Sequence, residues 1–344
     1  TAAEALAHNA DEQDQASAAG GGITPKTDDF CLPKGFEAAQ DPVGPAGPPI
    51  AVNTGTNREI PESEKESNRA TSGDPLASQS ADGLHDMWNE IHDIPSDSSG
   101  YRVEEVVGPD NQRRYIVYIV GTFGSSSQTL LSNIDAHKKR VDSQIAALNK
   151  LIPEDAEVML VGYSQGGMDA QNIAASGELK AQVKEIVTFG SPVRNDLNIP
   201  AIHLQESRDP IPNVAAPGAS WSTDGDPQNT NVQVFRGKSD LKSGYFVFDV
   251  KDATGMKYHA DGYDSLSAAY DNAVDRNLDL RAVNAAADLD KFQGTINQSM
   301  DINQNSIVGV GNDGQWYQVD PQQADTDFKI FGINPNPYQI TGEA

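Results

Sequence analysis

Ser164 stands in Gly162-Tyr163-Ser164-Gln165-Gly166, after the apolar run Val158-Met159-Leu160-Val161 and before Gly167-Met168-Asp169-Ala170. An apolar strand, a glycine-flanked serine and a helix start are the context in which a serine hydroxyl is presented as a nucleophile on a tight turn. Glycine two residues to either side leaves room where a side chain would strike neighbouring backbone. In a chain with 30 glycines chance supplies such a five-residue string with a probability of roughly 0.2, so its weight rests on what else the chain supplies.

An unactivated hydroxyl is a poor nucleophile at neutral pH and needs a base within hydrogen-bond reach, itself oriented by a carboxylate. In strand–turn–helix sites of this type the acid and then the histidine follow the serine along the chain. Of the six histidines, His8, His85, His92 and His137 precede Ser164, which leaves His203 and His259. His203 falls inside the apolar run Ala201-Ile202-His203-Leu204-Gln205, where a structural role is expected. His259, in Lys257-Tyr258-His259-Ala260-Asp261-Gly262, reads as part of a polar, glycine-bearing loop just before a helix, and is the expected base. Asp209, Asp224, Asp226, Asp240, Asp249 and Asp252 all lie between Ser164 and His259. Asp209 is preferred as the acid because it follows a strand directly and is stiffened by Pro210 and Pro212, at the sheet edge where function concentrates; Asp226 is the next choice. A tetrahedral oxyanion needs two backbone donors. One is expected from Gln165, the other from Thr122 or Phe123 in Gly121-Thr122-Phe123-Gly124.

These residues need elements that bring them together. Leu84, Met87, Trp88 and Ile91 fall at helical spacing and predict a short amphipathic helix. β-rich runs at 101–107 and 113–120, joined by Gly108-Pro109-Asp110-Asn111, predict a hairpin feeding a central strand. Next come a helix over 133–151, a strand into Val161, a helix over 167–175, strands at 186–190, 201–205, 231–235 and 245–248, and a helical stretch over 264–291. Strands alternating with helices imply parallel crossover units and a three-layer α/β sandwich. Residues 1–83, alanine-rich and then rich in proline, glycine and acidic residues, read as a partly flexible N-terminal extension. Residues 84–291 read as the core and 292–344 as a C-terminal extension packed on it.

The chain has 344 residues with 50 acidic against 25 basic side chains, a formal charge of -25. That field repels phosphate backbones and anionic lipid surfaces, and argues against nucleic-acid partners. No apolar run approaches the ~20 residues needed to span a bilayer, so no transmembrane segment is expected. Cys31 is the single cysteine; it forms no intrachain disulfide and reads as an incidental thiol. His85 and His92 lack any established metal-ligand spacing. Asp301-Ile302-Asn303-Gln304-Asn305 imitates a calcium loop, but Ser306 replaces the glycine and Asn312 the bidentate glutamate. No cofactor or metal is expected, and no phosphate loop or dinucleotide fingerprint is present.

Three segments carry a family resemblance. Gly162-Tyr163-Ser164-Gln165-Gly166, Thr188-Phe189-Gly190-Ser191-Pro192 and Asp209-Pro210-Ile211-Pro212, with the later His259, together resemble an α/β-hydrolase of the lipase/esterase type. The second and third are similar to class 3 lipases; the Tyr-Ser-Gln elbow is similar to cutinases and related hydrolases of mycobacteria and other actinobacteria. The resemblance spans residues 113–270. It departs from cutinases in lacking disulfides and in the wider separation of Asp209 and His259, and from class 3 lipases in having Tyr163 and Gln165 where those usually have His and Leu. It implies a serine hydrolase that cleaves a small-molecule or lipid carboxylic ester through an acyl-enzyme on Ser164. The same three residues would serve a thioesterase, amidase or acyltransferase, and a secreted binding or effector protein on a hydrolase scaffold is the reading from a different class. The resemblance also implies that the alanine-rich start is the tail of a helical secretion module, and so a secreted or cell-envelope enzyme. Residues 210–227, with Val214, Ala215, Ala216 and Trp221, are the expected cover of the site, and a soluble or short-chain ester is expected over bulk triglyceride.

Overall fold

The computed structural model of the chain describes residues 79–96, 98–121, 134–213, 221–226, 228–241, 255–303, 306–311 and 313–319. Cys31, Thr122, Phe123, Val214, Ala215, Ala216, Asp249, Asp252 and the strand expected at 245–248 lie outside these residues.

The scaffold is a seven-stranded, mostly parallel sheet. Strand β1 (Ser98–Val107) runs antiparallel to β2 (Arg113–Ile119), and the hairpin between them turns through Asn111 at φ 60°. From β2 the sheet continues through β3 (Glu157–Tyr163), β4 (Gln182–Phe189), β6 (Ala201–Glu206) and β8 (Val232–Gly237), each parallel to the last. The middle strands are near-continuous apolar runs because both of their faces are covered: Ile116, Val117, Tyr118, Val158, Met159, Leu160 and Val161 are all buried. Register aligns their carboxyl ends, pairing Ile119 with Gly162, Tyr163 with Phe189 and Phe189 with Leu204. The residues that follow these strands, among them Gly121, Ser164, Gly190 and Asp209, therefore emerge along a single edge.

Helices cover both faces, which makes an α/β fold of three layers. Helix α2 (Ile134–Leu151) connects β2 to β3, and α3 (Gln165–Ser176) connects β3 to β4. Both steps advance the same way along the sheet, and right-handed crossovers then place both helices on one face. There Val141, Ile145, Leu148, Ala170 and Ile173 pack with Val117, Val158, Leu160 and Ile186. The opposite face must be filled from outside the alternation. It is covered by α1 (Leu84–His92), which precedes the first strand, and by α4 (Met256–Asp275) and α5 (Leu280–Ala286), which follow the last parallel one. Asp271 of α4 accepts from the Leu84 and His85 N–H groups at 2.9 and 2.8 Å, so one helix caps the start of the other. Two short strands, β5 (Val193–Arg194) and β7 (Trp221–Ser222), pair in the region that links β4 to β8.

Two expectations change. The helical stretch placed at 264–291 begins earlier, at Met256, and breaks after Asp275, where Asn277 takes φ 54° and Asp279 restarts the chain as the N-cap of α5. The boundary at residue 291 also moves. Strand β9 (Thr295–Asn303) pairs antiparallel with β1 as the outer strand of the central sheet, and the hairpin β10 (Ile307–Val310) with β11 (Trp316–Val319) sends Val308 and Trp316 into the core beside α2. The sheet thus draws on chain beyond 291. Ser80 meets this strand's start from the other end, its N–H donating to the Gly294 carbonyl at 2.8 Å. Residues 1–78 and 320–344 lie outside the described residues. No described helix is long and apolar enough to cross a membrane.

The Trp88 ring of α1 is buried 5.0 Å from Tyr163 and 5.5 Å from both Phe189 and Tyr263. Trp88→Ala should cost about 3–5 kcal/mol through the cavity it leaves, read as a lower urea midpoint with an unchanged slope.

Candidate active site

The turn at Ser164 is shaped by three backbones in close approach. Ser164 takes φ 54° and ψ -120°, outside the regions a non-glycine residue favours, and this points its side chain away from the strand as α3 begins. A Cβ on Gly162 would fall on the Gly166 carbonyl, and one on Gly166 would fall on the Ile119 and Val120 carbonyls. On Gly121 a Cβ would stand 2.9 Å from the Ser164 Cβ, so the end of β2 passes directly against the serine. The strained turn is held by hydrogen bonds: the Ser164 N–H donates to the Phe189 carbonyl at 2.8 Å, and the Ser164 carbonyl accepts from Ser191 Oγ at 2.7 Å and the Gly167 N–H at 3.1 Å. Ser164 sits at the N-cap of α3, where the helix's unpaired N–H groups favour negative charge.

Ser164, His259 and Asp209 are 95 and 50 residues apart in sequence and meet in one hydrogen-bonded line. Ser164 Oγ lies 2.8 Å from His259 Nε2, and His259 Nδ1 lies 2.8 Å from Asp209 Oδ2. All three are buried. Asp209 reaches its place through the turn after β6, where its N–H donates to the Glu206 carbonyl at 2.9 Å and its Oδ1 accepts from the Ile211 N–H at 2.9 Å. An imidazole between a hydroxyl and a carboxylate can take the hydroxyl proton as the oxygen bonds to an electrophile, while the carboxylate offsets the imidazolium charge.

His259 is not in a loop. It occupies the first turn of α4, because the apolar stripe of that helix starts at His259 itself and continues through Tyr263, Leu266 and Tyr270, all buried at helical spacing. That spacing, read four residues further toward the N-terminus, is the signal that marks both the helix and a further site residue. Tyr263 lies one turn beyond His259 and donates from its hydroxyl to Asp209 Oδ2 at 2.7 Å. Tyr163 is a second addition. Its ring stacks on the His259 imidazole at 4.9 Å and 29°, and its hydroxyl donates to the His259 carbonyl at 2.8 Å. Burial raises the pKa of both phenols well above the ordinary tyrosine value, with the Asp209 charge adding to it, so both stay protonated donors. Arg208 ties the acid turn to the helix from the far side: its guanidinium donates to Glu206 Oε1 at 2.7 Å and lies 3.9 Å over the Tyr258 ring.

The other sequence candidates fall elsewhere. Asp226 accepts from the Gln228 N–H at 2.9 Å in a turn that leads into the start of β8, at the opposite end of that strand from the triad edge. Asp224 pairs with Arg236 at 2.8 Å. Gln165 is buried as the first residue of α3, which sets its N–H at the helix start beside Ser164, while Thr122 and Phe123 lie outside the described residues. Asp301 lies in β9 and binds Arg102 Nε at 2.7 Å. His85 Nε2 is 3.1 Å from Asp264, and His92 Nδ1 is 2.9 Å from the Trp88 carbonyl. Compared with known proteins, the chain matches no family model and no curated sequence.

His203 is enclosed in β6 with Nδ1 2.7 Å from Thr188 Oγ1, and burial lowers its pKa from 6.5 to about 3. The native state therefore stays neutral while the unfolded chain takes up a proton below pH ~6.5. The contribution is complete above that pH and is lost as pH falls toward 3, at ~1.4 kcal/mol per unit. His203→Gln should flatten this slope, with wild type losing about 2 kcal/mol more than the variant between pH 7 and 5 in urea unfolding.

Proposed function

We propose that this chain is a serine hydrolase with an α/β-hydrolase fold, cleaving a carboxylic ester through an acyl-enzyme on Ser164. The observation that carries the reading is the unbroken line Ser164–His259–Asp209 at the carboxyl edge of a parallel sheet, with the serine on a strained strand-to-helix turn. The sequence resemblance to lipases, esterases and cutinase-like hydrolases over residues 113–270 points the same way.

In this mechanism Ser164 Oγ bonds to the ester carbonyl carbon as His259 Nε2 takes the hydroxyl proton, and Asp209 holds the Nδ1–H and stabilises the imidazolium. The carbonyl oxygen becomes an oxyanion, received by the Gln165 N–H and by a backbone N–H from Thr122 or Phe123. When the carbon–oxygen bond to the alcohol breaks, His259 returns its proton to the leaving alkoxide. The acyl group stays on Ser164. Water then attacks the acyl carbonyl, giving its proton to His259, and the acid departs as Ser164 regains its hydrogen.

A fluorophosphonate probe, which phosphonylates an activated serine, should label the chain and fail to label Ser164→Ala and His259→Ala. Labelling that persists in Ser164→Ala overturns the assignment. Asp209→Asn should lower kcat on a p-nitrophenyl ester by about 10³–10⁴-fold, since the amide disturbs the tautomer and orientation of His259. A series of such esters of increasing acyl length measures which substrates fit.

A further inference from the structure

We propose that Tyr263 is a positioning residue for the reaction at Ser164, acting through Asp209; this rests on the function proposed above. Asp209 Oδ2 is shared by two donors, His259 Nδ1 at 2.8 Å and the Tyr263 hydroxyl at 2.7 Å, while Oδ1 is held by the Ile211 N–H at 2.9 Å. With one oxygen tied to its own turn and the other to α4, the carboxylate plane cannot rotate away from the imidazole. A carboxylate bound through His259 and Ile211 alone would have only its own turn to resist that rotation.

The direction of the Tyr263 hydrogen bond is also fixed. Its oxygen accepts the Glu206 N–H at 3.1 Å, which leaves its own proton to point at Asp209. The ring has no freedom to withdraw, since it is fully buried and packs against Trp88 and Phe189 with centroids 5.5 and 6.4 Å apart. His259 and Tyr263 project from successive turns of one helix, so α4 carries the base and the clamp on the acid as a single rigid unit. The backbone beneath makes room for this pair. Gly190 takes φ 63°, and a Cβ there would lie 3.0 Å from the Tyr263 hydroxyl oxygen and 3.1 Å from Asp209 Oδ2. The glycine of Thr188-Phe189-Gly190-Ser191-Pro192 is thus favoured by its positive φ, and a side chain there would press on the tyrosine–aspartate contact.

The test is Tyr263→Phe, which deletes the hydroxyl and keeps the ring. On a p-nitrophenyl ester kcat should fall about 10-fold or more with KM within twofold, the loss of one charge-assisted hydrogen bond. In the Asp209→Asn background the same substitution should have little further effect, because its influence passes through the carboxylate. The downfield proton resonance of the His259 Nδ1–H should shift in Tyr263→Phe. Wild-type kcat in Tyr263→Phe, or an equal loss in both backgrounds, overturns the proposal. Should the variant fail to fold, wild type decides alone: a protected Tyr263 hydroxyl proton with a cross-peak to the His259 Nδ1–H is expected, and its absence overturns the proposal. Failure of the parent reading looks different, since fluorophosphonate labelling would then persist in Ser164→Ala.

Discussion

A carboxylate taken wholly out of water must find donors for its lone pairs, and Asp209 finds them only if its own turn and a distant helix converge. Its own turn supplies the Ile211 N–H, and α4 supplies both His259 and Tyr263. The docking of α4 against β6 is therefore tied to a specific hydrogen-bonding demand as well as to apolar contact. Through Asp271 the same helix caps α1, and through Trp88 α1 returns to support Tyr163 and Tyr263. The layer that completes the hydrophobic face of the sheet is thus the layer that orients the site.

The opposite constraint acts at the serine, where the issue is space. Gly121, Gly162 and Gly166 allow β2, β3 and the start of α3 to meet at distances that no side chain could share. The unfavourable dihedrals of Ser164 survive because hydrogen bonds to the Phe189 carbonyl and from Gly167 and Ser191 over-determine its backbone. A buried anion on one side and a crowded backbone on the other fix the imidazole between them, with Tyr163 stacked on its face.

Much of this was legible in the residues. The apolar runs of β2, β3 and β4 announce a sheet buried on both sides, and the glycines around Ser164 announce a close backbone turn. His259 stands out because four of six histidines precede the serine. The surrounding support was harder to read. Asn and Gln in Thr295–Asn303 disguise an outer strand whose alternation, through buried Gln298, Met300 and Ile302, is nonetheless regular. His259 looked like a loop residue because Asp261 and Gly262 follow it, yet packing of Tyr263, Leu266 and Tyr270 outweighs the weak helix propensity of glycine.

By itself the sequence determined the strand–turn–helix around Ser164, the alternation of strands and helices, and the short list from which an acid and a base could come. These are local properties, set by periodicity and by backbone sterics within a few residues. Only the tertiary structure decided that Asp209 rather than Asp226 faces His259, that Tyr263 shares the same carboxylate oxygen, and that β9 completes the sheet. Such contacts join residues tens to hundreds of positions apart, and their geometry depends on how whole helices dock, which no local pattern encodes.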